Sequence, residues 1–154
     1  MGKNILIVVA HSDDETIGMG GAINKHNNSG DNVIAISMTN GIGARDNATL
    51  SEINSRKKSA NDASFKLGFK WGDCFDFDDN KMDNYPLLDI VKCIEKVKKE
   101  YEPNIVYTHS SSDLNIDHRV ISNAVITAFR PQPKEKCNEI RLFEVPSATD
   151  FGIK

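Results

Sequence analysis

An imidazole and two adjacent carboxylates arrive together at His11-Ser12-Asp13-Asp14, directly behind the apolar run Asn4 to Ala10. Charged groups are seldom set against a core unless they pair with one another or bind a metal. Two more histidines, His109 and His118, follow a later apolar run, Ile105-Val106-Tyr107. Catalytic zinc commonly takes three nitrogen or oxygen ligands and keeps one position for water. His11 and Asp14 lie three residues apart across a strand-to-helix turn, so both can point at one ion, and His118 would complete the set. Asp13 is then free to act as a base on a water whose pKa the metal lowers towards about 7. A helix cap explains one aspartate at a helix start; it does not explain a histidine plus two carboxylates. Asp117 fits a capping or outer-shell role, and His26, at a helix end, reads as solvated.

These residues need a frame. Residues 4–10, rich in Ile and Val, have the pattern of a strand covered on both faces. A helix over 14–27 follows, with Ile17, Gly20, Gly21 and Ile23 inward, then a strand over 33–38 that closes on Thr39-Asn40-Gly41. A second helix spans 51–67, with Ile53, Ala60, Ala63 and Leu67 as its inward stripe and Gly68 as its stop. A short strand over 71–77, an amphipathic helix over 87–100, a strand over 105–107, a helix over 117–130 and a strand over 140–145 complete the chain. This alternation predicts an α/β fold, a Rossmann-like three-layer sandwich with a mostly parallel sheet. Ligands in such folds bind beyond the carboxyl ends of the strands, where His11, Asp14, Thr39, Asn40, His109 and His118 all fall.

Composition narrows the rest. The 154 residues are 39% hydrophobic and 27% charged, with a net charge of −3, which fits one soluble domain over 1–154 and argues against nucleic acid as a partner. Three widely spaced cysteines form no CxxC pair, which suits a reducing compartment. No apolar run approaches the roughly 18 residues of a membrane span, and the N-terminus lacks the pattern of a signal peptide. A cytoplasmic protein is expected. A homo-oligomer stays open.

The segment "VVAHSDDETIGMGGAINKH" resembles the signature of the PIG-L / LmbE-like N-acetylglucosaminyl deacetylases, and "PNIVYTHSSSDLNIDHRVISNAVITAFRP" is similar to that family's later metal-binding segment. Between and after them come "TNG", Arg56 to Gly68, "FDDNKMD" and "FEVPSATDF", in the family's order. The resemblance implies zinc, or another divalent metal, on His11, Asp14 and His118, with Asp13 as general base. It implies hydrolysis of the acetamide of an N-acetylated sugar or sugar conjugate, a small-molecule substrate. Arg56 would contact substrate; Arg45 and Asp79 are further substrate-side candidates. The chain departs from the family at Ser12, where proline is usual, at Asn40 for aspartate, and at Ser59 for glutamate. At Asn115 some members carry a histidine that serves as acid or oxyanion donor. An amide donates a hydrogen bond but cannot shuttle protons, so Asn115 and His109 share the candidacy for that role. The stop at Lys154 leads us to expect a shorter substrate wall than the family's, lacking its C-terminal segment.

Two other readings stand beside the deacetylase. One is a non-catalytic Rossmann-like module that binds sugar or metal only. The other, a nucleotide-dependent oxidoreductase, is disfavoured because Gly18, Gly20 and Gly21 miss the spacing of a dinucleotide loop; helix–sheet packing accounts for them better.

Overall fold

The apolar run near the N-terminus becomes the centre of the molecule. In the computed structural model, which describes residues 2–41 and 49–151, it forms β1 (Asn4–Val9), with Ile5 to Val9 buried. β2 (Asn32–Thr39), β3 (Lys70–Phe77), β4 (Ile105–His109) and β5 (Glu139–Phe143) join it in one sheet of order β3-β2-β1-β4-β5. Each neighbouring pair is parallel, so the sheet is entirely, not mostly, parallel. Because side chains alternate along a strand, β1 feeds two cores. Leu6 and Val8 pack with Ile36 and Met38 against α3 (Leu87–Tyr101) and α4 (Ile116–Ala128). Ile5, Ile7 and Val9 pack against Met19 and Ile23 of α1 (Asp14–Asn28) and Leu67 of α2 (Leu50–Leu67). The result is the expected three-layer α/β sandwich. A short α5 (Pro146–Thr149) follows β5, which ends at Phe143, earlier than the apolar pattern suggested, with Pro146 opening the helix.

The strand order reverses between β1 and β4. In open parallel sheets that reversal leaves a crevice beyond the carboxyl ends of the two strands; His11 follows β1 there, His109 ends β4 and His118 lies in the first turn of α4.

Two helices differ from their predicted packing. Met19 leaves helical geometry (φ −145°, ψ 21°), which kinks α1 and changes its phase. Ile17, expected inside, is therefore exposed, Met19 is buried, and Gly21 has open space around it. On α2, only Ala60 of the expected stripe is fully buried; Ile53, Ala63 and Leu67 are half-buried. Among the described residues no helix is long and apolar enough to cross a membrane.

Candidate active site

The turn after β1 is tied by the residues it presents. The His11 N–H donates to Asp14 Oδ2 (2.9 Å), and the amides of Asp13 and Asp14 reach back to the His11 carbonyl (2.9 and 3.3 Å). The side chains of His11 and Asp14 thereby meet, with Nδ1 3.3 Å from Oδ2. α4 delivers the third group. Its cap, Asn115, accepts from the backbone N–H of Asp117 (2.9 Å) and His118 (3.4 Å), which satisfies amides that a helix start leaves open. His118 Nε2 then stands 3.3 Å from Asp14 Oδ2 and 3.4 Å from His11 Nδ1.

The three atoms form a nearly equilateral triangle. Ligands roughly 2.0–2.1 Å from a tetrahedral ion stand about 3.3–3.4 Å apart, so the triangle has the dimensions of one face of a zinc tetrahedron. Octahedral magnesium would need edges of about 2.9 Å, and two imidazoles suit zinc or another transition ion better than magnesium or calcium. The donor set therefore fits the metal that the sequence implied.

Carboxylates stand behind both rings. His11 Nε2 lies 3.0 Å from Asp79 Oδ1 and 3.3 Å from Asp117 Oδ2, and His118 Nδ1 lies 3.0 Å from Asp113 Oδ2. Asp117 is itself fixed by the amides of Asn80 (2.6 Å) and Met82 (3.1 Å). Such outer carboxylates orient a ligating imidazole and raise its basicity. The His109 ring stacks on His118 at 3.8 Å and 6° between planes, with the Phe143 ring tilted against it at 5.0 Å. His109 Nε2 accepts from the Ala10 N–H (2.9 Å), which puts its proton on Nδ1.

The titration of these groups follows from burial and pairing. Burial opposes charge on His11, but Asp117, Asp14 and Asp79 outweigh it and raise its pKa to about 11. Burial likewise works against charge on Asp14 and His118, yet His11 and His118 hold Asp14 well below the usual carboxylate range, and Asp14 with Asp113 holds His118 above the usual imidazole range. His109 has only partial compensation from Asp14, and burial pushes it down to about 3. Glu15, fully buried beside Asp14, is pushed up to about 7 by burial. This is a cage that favours a cation at its centre.

Asp13 has a different partner. Its Oδ2 accepts from Arg56 Nη2 at 3.0 Å, and its side chain is half-exposed (48%). Arg56 lies over Gly41, which has φ +65°; a Cβ there would stand 3.1 Å from Arg56 Nε. The guanidinium needs that room.

A family model described as PIG-L: GlcNAc-PI de-N-acetylase matches residues 6–129. The chain belongs to the PIG-L family. No curated protein matches the sequence well enough to count as a relative. Among solved structures, a conserved protein of Thermus thermophilus superposes with a TM-score of 0.78 at 19% identity, over 92% of this chain and 66% of that one. An N,N'-diacetylchitobiose deacetylase of Pyrococcus horikoshii, solved with an inhibitor, has a TM-score of 0.78 at 24% identity, over 92% and 60%. The 4-carboxy-2-hydroxymuconate hydratase GalB of Pseudomonas putida has a TM-score of 0.64 at 26% identity, over 91% and 62%. This PIG-L chain thus spans 60% to 66% of the length of these solved chains.

Within the PIG-L fold the structure brings together His11, Asp14 and His118, with Asp13 on the same turn and Arg56 on Asp13. The other candidates stand as follows. Asp79, expected on the substrate side, is buried behind His11. His109, expected near the reacting groups, is wholly buried under His118. Asn115, a candidate donor, commits its oxygen to the cap and its Nδ2 to Asn80 Oδ1 (3.2 Å). Arg45 lies outside the described residues. His26 is not solvated: it bridges Asp31 (2.7 Å) and the Tyr107 hydroxyl (2.8 Å). Reading the sequence alone misses Asp113. The available signal is its place two residues before the cap, where its Oδ1 accepts from the Asn115 N–H (2.9 Å).

Proposed function

We propose that this chain is a zinc-dependent N-deacetylase that cleaves the acetamide of an N-acetylated sugar or sugar conjugate. The observation that carries this reading is the His11–Asp14–His118 triangle, with Asp13 beside it on the same turn. Family membership and the diacetylchitobiose deacetylase among its structural relatives supply the reaction class.

His11 Nδ1, Asp14 Oδ2 and His118 Nε2 would hold the ion. When bound, the metal supplies Lewis acidity, polarising the scissile carbonyl and making a nucleophilic oxygen available at neutral pH. Asp13 takes the proton that water loses as its oxygen attacks the acetyl carbon. It returns that proton to the nitrogen as the C–N bond breaks, so acetate and a free amine leave. Arg56 keeps the Asp13 carboxylate in one orientation through the Oδ2 contact, leaving Oδ1 for the proton. Asp113 and Asp117 keep the two imidazole rings aimed. His109, neutral at working pH, serves as the flat floor on which His118 stacks. Asn115 positions His118 through the helix cap, and Arg45 remains assigned to the substrate side.

Metal analysis combined with amine release from N-acetylated sugars tests this. In Asp13→Asn, bound zinc is expected to stay stoichiometric while turnover falls by about 10²–10⁴, the usual contribution of a positioned acid–base group. Full activity in that variant would remove Asp13 from the role of base. A second reading has the hydratase relative behind it: water addition to an unsaturated carboxylate, for which Arg56 would be the anion's partner. Loss of substrate absorbance from an unsaturated dicarboxylate, with no amine release from any N-acetyl sugar, favours that reading. Stoichiometric zinc with neither activity favours a binding module.

A further inference from the structure

The two margins of the sheet are built differently. β3 is guarded: its pairing with β2 shifts register twice, between Ala35 and Ser37 and between Ser37 and Thr39, and it carries Lys70, Asp73 and Asp76. Irregular pairing and charge are what keep an open strand margin from recruiting another strand. β5 lacks the first defence and half cancels the second. Among the described residues it ends the sheet, and it pairs with β4 in unbroken register from Ile105–Glu139 to His109–Phe143. It contains no proline or glycine. Charged and apolar residues alternate along it, Glu139-Ile140-Arg141-Leu142, and Ile140 and Leu142 are left 37% and 49% exposed. A short, regular margin with two exposed branched side chains is a template for a further strand.

The charges on β5 say which strand fits. They are one of each sign, two residues apart, and Arg141 Nε holds Glu139 Oε1 at 2.7 Å. Phe143 turns its carbonyl to β4, where it accepts from the Ser110 N–H (2.9 Å). Backbone groups alternate in direction along a strand, so Ile140 and Leu142 turn theirs to the open side. A strand of this pattern is its own complement. Turned over about a two-fold axis through Ile140, a second β5 sets Ile140 opposite Ile140, Arg141 opposite Glu139 and Glu139 opposite Arg141. Opposite charges facing each other across a strand pair are favourable. An axis one residue on, through Arg141, would set two arginines face to face, and like charges directly opposite are destabilising. The charges therefore select both the antiparallel direction and the register. A two-fold contact is also closed: it occupies both β5 margins, and the guarded β3 offers no second one.

We propose that β5 pairs antiparallel with β5 of a second copy of this chain, joining two five-stranded sheets into one across a two-fold axis at Ile140. The pairing uses none of the metal-site residues, so it stands or falls apart from the deacetylase reading. Sedimentation velocity on the full chain, over a dilution series, tests it. A reversible dimer is expected, with no larger species. Ile140→Lys sets two ammonium groups against each other at the axis and should leave only monomer. Glu139→Arg and Arg141→Glu should each do the same. The double variant Glu139→Arg/Arg141→Glu should recover the dimer, because the opposed charges are merely exchanged. Monomer at every concentration, species beyond a dimer, a dimer that survives Ile140→Lys, or no recovery in the folded double variant would overturn the pairing. Arg141 also reaches the Tyr107 hydroxyl within its own chain. If its variants fail to fold by circular dichroism, Ile140→Lys and Leu142→Lys, both at exposed positions, decide. Loss of the dimer in both supports the pairing, and a dimer in either removes it.

Discussion

Asp113 and Asp117 serve the site in a way that neither could as a ligand. Each sits against the far nitrogen of a histidine whose other nitrogen faces the triangle, so each fixes which ring nitrogen is free for an ion. Both are fully buried, and Asp117 is locked by two backbone amides, so neither can swing aside. Asp113→Asn and Asp117→Asn should each weaken zinc binding by about 10–100-fold, as outer-shell losses do, measured by competition with a chromogenic chelator. Unaltered affinity in both variants would mean the carboxylates only secure the loop. The triangle itself is legible from residue types: His11, Asp13 and Asp14 adjoin one another and declare their chemistry. Of the carboxylates behind the rings, Asp117 is foreseen from its place beside His118, whereas Asp79 is not, because its partner His11 lies far along the chain. Asp79 illustrates the limit. Its sequence neighbours Asp76 and Asp78 are exposed, and only the register of β3 against β2 and the turn at Asn80 place it behind His11.

At the scale of elements, α1 carries two opposite demands. Its first turn must hold Asp14 at the triangle, and its body must lie on β1 and β2 close enough to seal the core around Ile5, Ile7 and Val9. The kink at Met19 reconciles them, and Gly18 just before it lets the helix pass against the end of β5. A Cβ at Gly18 would stand 2.6 Å from the Phe143 ring and 2.8 Å from the Glu144 carbonyl, whereas at Gly21 nothing lies within 4 Å. The same substitution should therefore have opposite signs three residues apart. Gly18→Ala forces a backbone carbonyl aside and costs about 1–3 kcal/mol, more than the helix propensity that alanine gains, so the melting temperature should fall. Gly21→Ala meets no obstacle and should raise stability by about 0.5–1 kcal/mol, seen as a higher melting temperature. Equal shifts in the two variants would show that the close approach to β5 is not a constraint. Periodicity locates this helix within a residue at its C-terminal end, but a straight helix cannot predict which residues face inward beyond a kink. α2 departs from expectation for the converse reason: Ile53 and Ala60 recur at the spacing of a core stripe, while the polar Lys57 and Asn61 share their face.

Taken whole, the molecule is a five-stranded sheet whose order reverses between β1 and β4, and the triangle sits at that reversal. The alternation of apolar runs is enough to foresee the layers and the crevice. The strand order is not foreseeable in that way, since nothing local records which strand neighbours which. That geometry ties metal binding to folding, because His11 and His118 are separated by 107 positions and meet only when β1 and β4 pair. An unfolded chain offers no such triangle, so an ion that binds the native state alone stabilises it by about 2.7 kcal/mol at a hundredfold excess over Kd. For a chain of this size each kcal/mol moves the melting temperature by about 2–4 °C. Zinc should therefore raise it by roughly 5–10 °C over the metal-free protein, and His118→Ala should lose the rise. The pH dependence has a definite sign. His11, held near 11, and His118, also raised, must shed protons before they can ligate, so proton and metal compete for the same nitrogens. At a fixed total zinc concentration the rise should be larger at pH 8 than at pH 6. A melting temperature indifferent to zinc at both pH values, or an equal rise in His118→Ala, would detach the triangle from the metal.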